Sequence, residues 1–234
     1  MQGEVNASGA TLKLFHLQRS GAAVIASMAW FAVAVQVYFN VEDALIRDES
    51  IASHLINFFS YFTVETNIFI AYVLTLFWLQ PRAERFLTGP SVTSALVVYI
   101  IVVGVVYELL LRHLWHPHGM RRVADMMLHD AIPLLYSLYW LIFFPKGSLR
   151  WSDPANWLIY PILFFFYTMA RGAAYGVYPY PFINADQLGL ARVSVNATVF
   201  LAVFFSLGLG LTALDHALGS GERGRSGLGR AAEL

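Results

Sequence analysis

The chain has 234 residues, 58% hydrophobic and only 13% charged, a balance that excludes an ordinary soluble domain and reads as a membrane protein. Net charge is zero and no long run of like charge occurs, which argues against nucleic acid as a partner. Cysteine is absent, so disulfides, thiolate catalysis and cysteine-ligated metals are excluded.

In chain order, residues 1–19 are polar and lack the apolar core and small-residue cleavage site of a signal peptide. They are expected to be a cytoplasmic N-terminal segment, with the first span as its own insertion signal. Apolar runs of about twenty residues or more, the length a helix needs to cross a hydrocarbon core of about 30 Å, follow near 20–41, 55–79, 92–115, 124–144, 155–177 and 192–215. The connections, such as VEDALIRDES and FPKGSLRWSDP, are short and rich in charge, proline and glycine. The fold class is therefore all-α, a polytopic bundle of six transmembrane helices over 20–216. The glycine-rich, charged residues 217–234 read as a disordered tail.

Six spans place both termini on one side. Lys13, Arg19, Arg82, Arg85, Lys146, Arg150, Arg223, Arg225 and Arg230 share that side, against Arg47, Arg112, Arg121, Arg122, Arg171 and Arg192 on the other. The bias predicts cytoplasmic termini in the cell inner (plasma) membrane. It also puts the intramembrane polar residues at one level. Gln36, Asn40, Glu108, Arg171 and Tyr175 fall toward the outer ends of their helices, Thr63 about eight residues and His129 about five residues inside theirs, and Asn196 near the outer start of the last. An outward-opening, partly hydrated pocket is the geometry this pattern predicts.

In the second span Thr63, Thr66 and Asn67 share a helix face, whereas Glu65 points elsewhere. The two threonines can bond back to carbonyls one turn earlier, or they can line a site. Asn67 cannot be satisfied so locally and is expected to bridge helices or orient a neighbour. In LHDAIPLLY, Pro133 follows His129 by four residues, removes the hydrogen bond to the His129 carbonyl and predicts a kink there. An imidazole with an ordinary pKa of about 6.5 could take a proton from a hydroxyl such as that of Thr63, or it could be a structural histidine. His113, His116 and His118, with Asp125 and His129, could bind a hydrolytic zinc, although the spacing is loose. Arg171 with Tyr175 could snorkel to lipid phosphates or hold an anionic head group, pairing with Glu108 when the site is empty.

The segments FSYFTVETN, LHDAIPLLYSLYWLIFFPKGSLRW and YPILFFFYTMARGAAYGVYPYPFIN resemble a bacterial family of six-helix membrane proteins known as Pr6Pr, over most of 20–216. More distantly the pattern is similar to the androgen-induced and androgen-dependent six-helix transmembrane hydrolases of animals, which act on fatty acid esters of hydroxy fatty acids. That resemblance implies Thr63 as nucleophile, from YFTVETN, and His129 as base, from LHDAIP; the YPF element at 180–182 matches in kind.

The reading that follows is an intramembrane threonine hydrolase of lipid esters. Thr63 and His129 are catalytic, Asn67 or Asn196 donates to the oxyanion, and Arg171, Tyr175 and Glu108 bind substrate. Membrane lipids and a lipid ester are the expected partners, with no cofactor or metal in the leading scheme. The alternatives are a non-catalytic binding or transport protein for a lipidic or anionic ligand, and a zinc-dependent hydrolase. A haem site lacks facing histidines inside the spans.

Overall fold

The computed structural model describes residues 2–80 and 86–231, with side chains over 12–80 and 86–220. Regular structure among these residues is helical: α1 (Gln2–Ile46), α2 (Ile51–Phe59), α3 (Phe62–Leu79), α4 (Pro90–Leu114), α5 (Gly119–Phe143), α6 (Asp153–Tyr175) and α7 (Ala185–Ala231). Six of them, all but α2, are long and apolar enough to cross a membrane, and the chain is a multi-pass membrane protein. Large apolar side chains such as Phe69, Leu134, Leu141, Ile142, Leu163 and Phe166 stay exposed, as lipid-facing surface requires.

The second span differs from its expected form. The run 55–79 is not one helix but breaks at Ser60 and Tyr61, separating the amphipathic α2 from α3. Hydropathy cannot show the break, because both sides are equally apolar. Helix α7 continues through 217–220, past the expected start of the tail, and the side chains of 221–234 lie outside the described residues.

Proline and glycine set several boundaries. Pro90 opens α4 at a position where its missing N–H costs nothing. Gly176, left-handed at φ 67°, closes α6 and gives its N–H to the Gly172 carbonyl at 2.7 Å. Pro133 acts less simply than a bare kink. Just before it, Met127–Ala131 form a π-helical turn, in which the Ile132 N–H reaches back to the Met127 carbonyl. A second π-helical turn, Tyr107–Leu111, lies in α4. Such widened turns absorb the bonds a proline removes and concentrate at functional sites.

The described residues form two compact units, one within 1–59 and 63–144, the other comprising 60–62 and 145–231. In the first, α1 packs on α2 and α5, and α4 lies along α5. Ala22, Ala26, Ala29 and Ala32 give α1 a buried face of small residues that allows close helix approach. At one end of this unit Arg19 donates to the Trp78 carbonyl at 2.8 Å, Tyr139 to the Gln18 carbonyl at 3.2 Å, and buried Tyr136 to the Thr93 carbonyl at 3.1 Å. At the other, Arg121 grips the Asp43 carboxylate with two bonds of 2.7 Å and lies over the Phe39 ring. The start of α1 and the start of α4 meet the end of α5, and the end of α1 meets its start, so α5 runs antiparallel to both, as the fourth span must against the first and third.

In the second unit Phe62 stacks on Tyr160 with ring centres 5.0 Å apart, and Ser60 shares a 2.7 Å hydrogen bond with Tyr167. Gly208 lets α7 come against Pro154 and Trp157. The buried Asp215 carboxylate accepts the Leu149 N–H at 3.0 Å, and His216 Nε2–H donates to the Leu149 carbonyl at 2.7 Å, so adjacent residues of α7 clamp one residue of the 144–152 connection.

Candidate functional site

Because the helix breaks at 60–61, Thr63 is the second residue of α3 rather than eight residues down a span, yet it is buried at 7% exposure. The next turn carries Thr66 and Asn67, both with no exposed surface. Asn67 spends its amide hydrogens on two carbonyls, Thr63 at 2.8 Å and Leu128 at 3.2 Å. The second bond has a clear cause. Pro133 has no N–H to give back to the π-helical turn, and a π-type bond from position 133 would end on the Leu128 carbonyl. The Asn67 side chain supplies the missing donor from another helix, as its predicted bridging role requires. On the opposite side Gly104 lets α4 approach the His129 carbonyl, where an added Cβ would lie 3.3 Å away.

His129 follows Leu128 in that turn. Its Nδ1 lies 3.0 Å from the Asp125 carbonyl and 3.2 Å from Asp125 Oδ1. A carbonyl only accepts, so Nδ1 carries the proton and the neutral ring keeps its lone pair on Nε2. The ring stacks on Tyr107, with centres 3.8 Å apart and planes 14° from parallel. Tyr107, in the facing π-helical turn, donates its hydroxyl hydrogen to the other Asp125 oxygen. Asp125 is therefore buried with one carboxylate oxygen bonded by the phenol and the other 3.2 Å from the imidazole nitrogen. Arg112 lies over the Tyr107 ring at 4.9 Å and pairs with Glu108 and Asp130.

The predicted residues divide between the two units. In the first, the Asn67 amide links the Thr63 carbonyl to that of Leu128, the residue before His129. Glu108 lies in the same unit, exposed and held by Arg112 four residues along the same helix. Arg171, Tyr175 and Asn196 belong to the second unit, with Tyr175 77% exposed and Asn196 donating to the Phe182 carbonyl at 2.8 Å. Asn67 cannot be the oxyanion donor, since its hydrogens are committed; its carbonyl oxygen is the atom without a partner. Of the two alternatives for Thr66, back-bonding is not the one taken, because its hydroxyl bonds no carbonyl one turn back. Among the described residues no three histidine, aspartate or glutamate side chains converge as metal ligands, and His113, His116 and His118 are not gathered with Asp125 and His129.

Sequence reasoning missed Tyr107 and Arg112, and it read Asp125 only as a metal ligand. The i, i+4 spacing of Asp125 and His129 was a usable signal for their pairing. The Tyr107 contact, between helices, had none.

No family model, curated protein or solved structure matches the chain.

Proposed function

We propose that the chain is a multi-pass membrane hydrolase of lipid esters in which Thr63 is the nucleophile and His129 the base, within a bundle whose termini face the cytoplasm. The observation that carries this reading is the hydrogen bond from His129 Nδ1–H to the Asp125 main-chain carbonyl, with the Asp125 carboxylate 3.2 Å from the same nitrogen, which leaves Nε2 as the proton acceptor in the turn that Asn67 ties to the Thr63 carbonyl. Thr63 Oγ would bond the ester carbonyl carbon while its proton passes to Nε2; the alkoxide would leave with that proton, and water would later release the acid. The oxyanion would meet the main-chain amide of buried Val64, in the first turn of α3 next to the nucleophile. The motif resemblance to six-helix ester hydrolases supports the substrate class, and the lipid-facing helices supply a route for an apolar acyl chain. Arg171, Tyr175 and Asn196 carry no part of this scheme.

The test is labelling of the purified, detergent-solubilised protein with a fluorophosphonate. Wild type is expected to carry the label on Thr63, and folded Thr63→Ala and His129→Ala variants to lose it. Equal labelling of all three would sink the scheme. Absence of label on wild type together with saturable fatty-acid binding would favour a binding protein instead.

A further inference from the structure

Two polar atoms next to Thr63 are buried without a hydrogen-bond partner: Thr66 Oγ1 and Asn67 Oδ1. Both side chains have no exposed surface. Their state follows from the same local competition. A threonine inside a membrane helix normally turns its hydroxyl to a carbonyl three or four residues back. For Thr66 the carbonyl three residues back is that of Thr63, which the Asn67 amide already occupies at 2.8 Å. Asn67 in turn faces its amide nitrogen toward Thr63 and Leu128, and the side-chain oxygen is left over. Thr75 on the same helix shows the ordinary outcome, donating to the Ala71 carbonyl at 2.7 Å. The arrangement therefore leaves one pure acceptor and one hydroxyl on successive residues, within one turn of the proposed nucleophile.

The chemistry that satisfies such a pair is a small donor that can also accept. Asn67 Oδ1 can only accept a hydrogen, whereas the Thr66 hydroxyl can accept or donate, so water is the small ligand whose chemistry suits either atom. We infer that Thr66 and Asn67 hold the water that hydrolyses the acyl-enzyme, an inference that rests on the reading of Thr63 as nucleophile. In that step the water oxygen bonds the acyl carbon and one water proton passes to His129 Nε2. The bond from Thr63 Oγ to the acyl carbon then breaks, and the proton returns to Thr63 Oγ. Thr66 is a positioning residue: it orients the attacking water and takes no part in acylation.

That division gives a test with separable outcomes. The full-length protein in nanodiscs is mixed with p-nitrophenyl octanoate, and the burst of nitrophenolate, the steady-state rate and the mass of the intact protein are measured. Wild type is expected to show a burst followed by turnover. Thr66→Val, nearly isosteric, is expected to keep the burst, to lose steady-state turnover about tenfold or more, and to accumulate octanoyl-Thr63. Hydroxylamine, which attacks the acyl group without needing the held water, should clear the adduct, and Thr66→Ser should restore turnover. Wild-type turnover in Thr66→Val, or equal loss of burst and turnover in a folded variant, overturns the inference while leaving Thr63 in place. If Thr66→Val fails to fold, Thr66→Ala is read by the same criteria. No burst and no fluorophosphonate label in wild type would remove the nucleophile and the water's role together.

Discussion

At the scale of single residues, Asp125 is the side chain on which the proposed site turns. It receives the Tyr107 hydroxyl and holds the proton-bearing nitrogen of His129 from within a buried environment. Asp125→Asn keeps the shape but replaces an acceptor with an amide that can offer hydrogen to the ring. The main-chain carbonyl of residue 125 still holds the Nδ1 proton, but the carboxylate charge that steadies the imidazolium is gone, and esterase activity is expected to fall by about a hundredfold or more, measurable as nitrophenolate release from the folded variant. Tyr107→Phe removes only one bond to the carboxylate. It is expected to cost about 1–3 kcal/mol of stability, the penalty for leaving a buried acceptor unpaired, and a melting-temperature shift in detergent would check it. A Tyr107→Phe protein as stable as wild type would mean that this hydrogen bond is not made.

At the scale of elements, α4 and α5 meet where a proline has disturbed the backbone. At Gly104 an added Cβ would meet the His129 carbonyl at 3.3 Å and Pro133 Cβ at 3.4 Å, a tight fit that leaves no room for a long side chain. Gly104→Leu forces apart the helices that align Tyr107 with Asp125. A loss of about 1–3 kcal/mol is expected from overpacking, with activity lost alongside, whereas Gly210→Ala, which meets nothing nearby, should be silent in both assays. Pro133→Ala tests the origin of the π-helical turn. A restored N–H would compete with Asn67 for the freed carbonyl, so fluorophosphonate labelling of Thr63 should fall even though no reacting group has changed. In the second unit, α7 clamps the 144–152 connection through Asp215 and His216. Asp215→Ala abolishes the bond to the Leu149 N–H and should loosen the connection, speeding trypsin cleavage after the neighbouring Lys146 and Arg150.

At the scale of the whole molecule, the testable claim is orientation. The chain has no cysteine, so single cysteines report cleanly on each connection. Under the positive-inside assignment, Glu49→Cys in intact cells should react with a membrane-impermeant maleimide, and Ser148→Cys should react only after permeabilisation. The reverse pattern would invert the bundle and place the Thr63 end of α3 on the cytoplasmic side.

Hydropathy and length were enough to determine an all-helical membrane chain with six spans, because burial in hydrocarbon demands long apolar helices whatever their neighbours are. Local rules also made Pro133 visible as a disturbance and Asn67 as a side chain needing a distant partner. The break at Ser60 and Tyr61 was not visible, since apolar residues continue across it and only packing decides whether a helix runs on. Nor was the site's electrostatic centre. Tyr107 and Asp125 lie 18 residues apart on different helices, and their meeting depends on the relative rotation of α4 and α5 at two widened turns. The tertiary structure also reversed the role of Asn67, because two carbonyls claim its hydrogens and leave it only an oxygen to offer.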